Sequence, residues 1–146
     1  MKIFLDANIL VATLNKEYPL FLWSSRLLSL QGKKNIELCT SPLCLAIAFY
    51  FASKKCGEKS AATKINLLCQ KISVTTMDEK IVHQALHDSR ISDFEDGMEY
   101  YSALNQQCNF IITENRQDFW FSAIEVLSCE AFLVHLQKLS VKTDPL

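Results

Sequence analysis

ISDFEDGMEYYSALNQQCNFIITENRQDF, residues 91–119, decides the fold. Asp93, Glu95 and Asp96 set three acids within four residues at its start. A helical run follows, then the short apolar segment Phe110, Ile111, Ile112, which reads as a strand. The stretch closes on Thr113, Asn115 and Asp118. A helix that begins in carboxylates therefore leads to a strand that ends in polar groups. Acids at a helix start complement the helix dipole, and Ser92-x-x-Glu95 has the form of a capping box. Capping accounts for Glu95. It accounts less well for Asp96, because a packed helix start needs one cap and one box partner rather than three acids.

The N-terminus sharpens this reading. In MKIFLDANIL the apolar run Ile3, Phe4, Leu5 stops abruptly at Asp6, with Asn8 two residues on. A buried parallel strand reads as such a run, and open α/β sheets place ligands at the carboxyl ends of their strands. Capping of the next helix is the ordinary role for an acid there. Yet two strand-like runs, 3–5 and 110–112, are each followed at once by polar or acidic groups. In a parallel sheet those ends share one edge.

The intervening chain alternates strand and helix patterns. Residues 9–14 look helical, and Pro19 opens an apolar helix over 20–30 in which Leu20, Trp23, Leu27 and Leu30 share a face. A helix this apolar is buried or meets a partner. Gln31-Gly32-Lys33-Lys34 reads as a turn, and 36–40 as the second strand. Ser41 caps and Pro42 starts a helix to about residue 55, with Leu43, Ile47, Tyr50 and Phe51 as its expected face. A helix over 57–71, a short strand at 72–74 and a helix opened by Thr76, Asp78 and Glu79 follow. His83 and His87 stand one turn apart, a metal-ligand spacing without a third partner, and read as a solvated face. A last strand over 123–127 and a helix over 128–139 lead to an expected loose tail at 141–146. The alternation predicts a three-layer α/β/α sandwich with a central parallel sheet, in one domain spanning 1–140.

Composition agrees. The chain has 146 residues, 49% of them apolar, with three Gly and three Pro. That is globular, with room for a real core. A net charge of −1 leaves no bulk footprint for nucleic acid, so any RNA contact is local or cation-mediated. The six cysteines show no C-x-x-C or finger spacing; lying in apolar runs, they read as reduced and buried in a cytosolic protein. No signal peptide is seen, and no apolar run approaches the ~20 residues that span a bilayer.

Three pieces, in order, carry a family resemblance. FLDANIL resembles the opening strand and first aspartate of the PIN domain, the metal-dependent nuclease fold of VapC-type toxins. DFEDGMEYYSAL resembles its acidic helix start, and CNFIITENRQDF its "ITRN-x-x-DF" ending. The likeness covers nearly the whole chain. SPLCLAIAFY resembles the family's "SPLTLAEVLY", but Ile47 stands where that pattern has glutamate, and Glu114 where the ending often has arginine.

The resemblance implies a Mg²⁺- or Mn²⁺-dependent endoribonuclease, the toxin of a toxin–antitoxin pair, with RNA as substrate, an antitoxin as partner, and a homodimer or antitoxin groove on the apolar faces of 20–30 and 43–51. It implies Asp6 and Asp96 as catalytic metal ligands. Asp118 is a further ligand or a cap of the turn before Phe119. Asn115 orients water or phosphate or holds Asp118; Thr113 hydrogen-bonds Asp6. Asp93 and Asn8 support the site or only shape a helix start and a turn. The alternative is a degenerate module that binds RNA or a protein, favoured by Ile47 and Glu114. A phosphatase with a strand-end nucleophile is weaker, because its usual second aspartate is Asn8 here.

Overall fold

The structure is a computed structural model that describes residues 1–33 and 35–142, with side chains through 140. Five strands form one parallel sheet: β1 (Lys2–Leu5), β2 (Glu37–Thr40), β3 (Ser73–Val74), β4 (Phe110–Ile112) and β5 (Glu125–Leu127), in the order β3-β2-β1-β4-β5. Among the described residues seven α-helices flank it: α1 (Ala7–Asn15), α2 (Leu20–Leu28), α3 (Pro42–Cys56), α4 (Glu58–Cys69), α5 (Glu79–His87), α6 (Phe94–Asn105) and α7 (Cys129–Lys142). This is the expected α/β/α sandwich.

β1 is central because its apolar run leaves nothing to face water. Ile3, Phe4 and Leu5 are fully buried, as are Leu38 on β2 and Ile111 and Ile112 on β4. Leu5 is in register with Ile112, and the Asp6 amide continues the ladder to the Ile112 carbonyl at 3.0 Å. From β1 the chain builds outward to β2 and β3, then returns to place β4 on the other side of β1. The strand order therefore reverses between β1 and β4. At such a switch point the flanking connections diverge and leave a crevice at the carboxyl edge. Asp6 and Thr113 are the first residues beyond those two strands.

Several local expectations are corrected. α3 buries Leu43 and Ile47 only in part, with Ile47 packed against the core, and leaves Tyr50 and Phe51 exposed. Its buried stripe is Cys44, Ala48 and Ala52, while Tyr50 is 53% and Phe51 48% exposed. α3 packs closely on α1 and α4, and tight helix approach selects small side chains over large apolar ones. α6 is capped by Asp93, whose carboxylate accepts from the Glu95 amide at 2.9 Å, and not by Ser92. α2 ends at Leu28, two residues early, and β5 starts only at Glu125. α7 runs on to Lys142, into the segment expected to be loose; residues 143–146, like Lys34, lie outside the described residues. All six cysteines are free, but Cys69 is exposed and Cys56 only half-buried. His83 and His87 are exposed, and His87 Nδ1 pairs with the His83 carbonyl at 2.7 Å, so they remain a solvated face. No helix among the described residues is long and apolar enough to cross a membrane.

Candidate metal centre

Asp6 takes the capping role expected of an acid at a helix start and also ties the ends of two strands together. Its backbone is extended and its carboxylate caps α1, with Oδ1 accepting from the Ala7 amide at 2.5 Å. Oδ2 accepts from Thr113 Oγ1 at 2.6 Å and from Asn8 Nδ2 at 3.1 Å. Asn8 Nδ2 also reaches Thr113 Oγ1 at 3.0 Å, and Asn8 Oδ1 accepts from the Glu114 amide at 3.3 Å. The Asn115 amide donates to Thr113 Oγ1 at 3.0 Å. The ends of β1 and β4 are thus laced together across the switch point by Asp6, Asn8 and Thr113. Thr113 takes the expected part, and Asn8 and the Asn115 backbone support it.

Asp6 borders an open cavity of about 350 Å³, shared with Asn8, Ile47, Glu95, Asp96 and Asn115. Asp96 sits in the first turn of α6, half-buried. Burial, then the charges of Asp93, Asp6, Asp118 and Glu95, push its carboxyl up to about 7. Burial and the charges of Asp93 and Asp6 also raise Glu95. Asp118 lies in a 3₁₀ turn (Arg116–Phe119), exposed, with its amide on the Asn115 carbonyl at 3.1 Å. It reaches Asp96 by charge but does not line the cavity. Glu114 accepts from the Cys129 amide at 3.1 Å and so serves the start of α7.

Sequence reading missed Glu99. It lies three residues past Asp96, hence one turn along the same face of α6. It is fully buried, and neither carboxylate oxygen has a hydrogen-bond partner. Its carboxylate, that of Asp6 and the Cys44 thiol lie with their ligand atoms within 4.8 Å of one another. No second group of three His, Cys, Asp or Glu closes that tightly among the described residues; Asp96 and Asp118 do not join Asp6 in one. Burial and the Asp6 carboxylate drive Glu99 well above the usual carboxylate range. Burial, then Glu99 and Asp6, drive the Cys44 thiol up. The i, i+3 spacing from Asp96 was the available signal.

Buried carboxylates without a basic partner are stable only if protonated or neutralised by a cation. Oxygen donors of this kind suit hard divalent ions. The orphaned Glu99 oxygens beside Asp6 therefore fit a bound Mg²⁺ or Mn²⁺.

The PIN domain family model matches residues 2–117. Ribonuclease VapC1 of Aquifex aeolicus (strain VF5) is 24% identical over 135 residues, covering 90% of this chain and 92% of that one. VapBC-1 from nontypeable Haemophilus influenzae has a similar structure, with a TM-score of 0.69 at 20% identity over 89% of this chain and 99% of that one. VapC20 of Mycobacterium tuberculosis, a Sarcin–Ricin loop cleaving toxin, gives 0.59 at 19% identity, covering 75% and 86%.

Proposed function

The chain belongs to the PIN domain family, and from that premise we propose that it is a Mg²⁺- or Mn²⁺-dependent endoribonuclease, the toxin of a toxin–antitoxin pair. The observation that carries this reading is the pair Asp6 and Asp96, brought to one cavity from a strand end and a helix start. The Aquifex ribonuclease and the Mycobacterium RNA-cleaving toxin support RNA as the substrate. The VapC likeness supports a cognate antitoxin. The exposed Tyr50 and Phe51, beside the cavity at Glu95, are the surface we assign to that antitoxin or to a second copy.

Each residue has a role. Thr113 and Asn8 hold Asp6 Oδ2, and the Ala7 amide holds Oδ1, so the carboxylate meets a ligand without first being ordered. Asp96 shares the cavity lining with it from α6, and Asp118 adds negative charge from outside the cavity. Asp93 secures the start of α6 and so sets the position of Asp96. Asn115 lines the cavity where a phosphate would approach. A bound cation there would activate water and neutralise charge on the phosphodiester.

A second reading, a module that binds RNA or protein without cutting, is favoured by Ile47, an aliphatic in the cavity wall. The experiment that separates them is RNA cleavage by the purified chain with Mg²⁺, Mn²⁺ or EDTA, alongside Asp6→Asn. We expect cleavage that requires the cation and falls by orders of magnitude in the variant. Asn at position 6 can still cap α1, so the fold should survive, as circular dichroism would show. Cleavage that persists in EDTA or without Asp6 sinks the proposal; cation-independent RNA binding without cleavage selects the second reading.

A further inference from the structure

We propose that Glu99 is a metal ligand of this chain, supplying from α6 the carboxylate that α3 does not provide. The inference rests on the cation-dependent reading above and deepens it. α3 runs from Pro42 to Cys56 without an acid, so no negative group reaches the cavity from that side. Glu99 is 0% exposed, and both of its oxygens lack a hydrogen-bond partner. Buried polar groups are almost always satisfied, and an exception calls for an unseen partner. Among the His, Cys, Asp and Glu side chains of the described residues, those grouped with the Glu99 carboxylate are the Asp6 carboxylate and the Cys44 thiol, their ligand atoms within 4.8 Å of one another. Neither carries a positive charge.

Two partners satisfy such a carboxylate: a proton, or a cation shared with Asp6. Helix geometry favours the cation. Asp96 and Glu99 are one turn apart on α6; Asp6 shares the cavity lining with Asp96 and the buried group with Glu99. An ion on Asp6 is thus within reach of a second buried acid that no lysine or arginine competes for. The thiol of Cys44 is a poor donor for hard ions, which leaves the carboxylates to hold Mn²⁺.

The test is Mn²⁺ titration by calorimetry of wild type, Glu99→Gln, Glu99→Asp and Asp96→Asn, each checked for folding by circular dichroism. Glu99→Gln keeps the shape and removes the charge; we expect its Mn²⁺ Kd to rise at least tenfold. Glu99→Asp keeps the charge but shortens the reach, and an intermediate loss is expected. It also serves alone if the glutamine variant does not fold. Adding Ile47→Glu to Glu99→Gln should recover part of the affinity, by bringing a carboxylate to the cavity from α3. Glu99 variants that bind Mn²⁺ as tightly as wild type, while Asp96→Asn binds weakly, overturn this inference alone; Glu99 then only shares a proton with Asp6. Wild type that binds no Mn²⁺ at millimolar concentration overturns the metal-dependent function as well.

Discussion

Ile47→Glu is the substitution that interrogates the cavity most directly. Ile47 is half-buried and shares the cavity wall with Asp6, Glu95 and Asp96. Full burial of an isoleucine is worth about 1.5–3 kcal/mol, so giving up a half-buried one loses about 1 kcal/mol. The new carboxylate adds like-charge repulsion. Two unit charges 4 Å apart repel by about 1 kcal/mol in water and about 4 kcal/mol at an effective dielectric of 20. The cavity is open to solvent, so about 1–2 kcal/mol in total is the appropriate scale. Without metal the variant should then be less stable by about 2–3 kcal/mol, a fall in melting temperature of about 5–10 °C for a chain of this size. Mn²⁺ reverses the sign of the interaction. A ligand at 100 times its Kd stabilises the folded state by about 2.7 kcal/mol, and the added acid should lower that Kd. The assay is thermal melting of wild type and variant, each in EDTA and in saturating Mn²⁺, followed by RNA cleavage. The gap between them should nearly close in Mn²⁺, and cleavage should rise. A variant that melts early in both buffers would show that position 47 meets only apolar wall, and the cavity would not be the metal site.

Other perturbations probe what positions the site. A Cβ at Gly97 would lie 2.8 Å from Ile91 Cγ2 and 3.2 Å from Ala85 Cβ. Gly97→Ala gains about 1 kcal/mol of helix propensity but meets an overpacking cost of about 1–3 kcal/mol, so urea denaturation should show a net loss of up to about 2 kcal/mol. A clear gain would mean that Ile91 moves aside freely. Asp88 accepts from Arg90 Nη2 at 2.7 Å, Arg90 Nε at 2.9 Å and the Tyr101 hydroxyl at 2.9 Å. The Arg90 hydrogen bonds foremost hold its carboxyl well below the usual range. A depressed carboxylate contributes stability above its unfolded pKa of about 3.9, lost as pH falls through the folded value. Asp88→Asn should therefore melt earlier than wild type at pH 5–7, and the gap should narrow as the pH drops below about 4. A gap unchanged down to pH 2 would remove the ionic contribution.

Sequence carried the frame because the frame depends on local pattern. The runs at 3–5 and 110–112 have no polar residue to face water, so burial on both sides of a sheet was the reading left to them. Their polar followers, Asp6 and Thr113, then had to meet at the edge, and they do at 2.6 Å. The face of α3 was less legible. Its apolar residues surround much of the helix, and only the approach of α1 and α4 decides that Cys44, Ala48 and Ala52 turn inward. The cap of α6 was ambiguous for a similar reason: Ser92 and Asp93 are both good caps, and the backbone selects Asp93.

Glu99 was missed on different grounds, although its i, i+3 spacing from Asp96 was in the sequence. Glutamate within M-E-Y-Y reads as the solvated side of an amphipathic helix, because a buried, unpaired acid is too costly to expect. Local pattern encodes the average environment of a residue type, and a functional site departs from that average. On the proposed reading, the same departure lets the metal site stand with Ile47 in the cavity wall. A cation is held by the positions of oxygen atoms in space, whichever helix delivers them. α3 and α6 both border the space around Asp6, Ile47 through the cavity wall and Glu99 through the buried group it forms with Asp6. A carboxylate removed from one can therefore be offset by one on the other without moving the backbone. On the proposed reading, an ion bound there would still compensate Asp6, and the Asn8–Thr113 lacing that holds Asp6 would need no change.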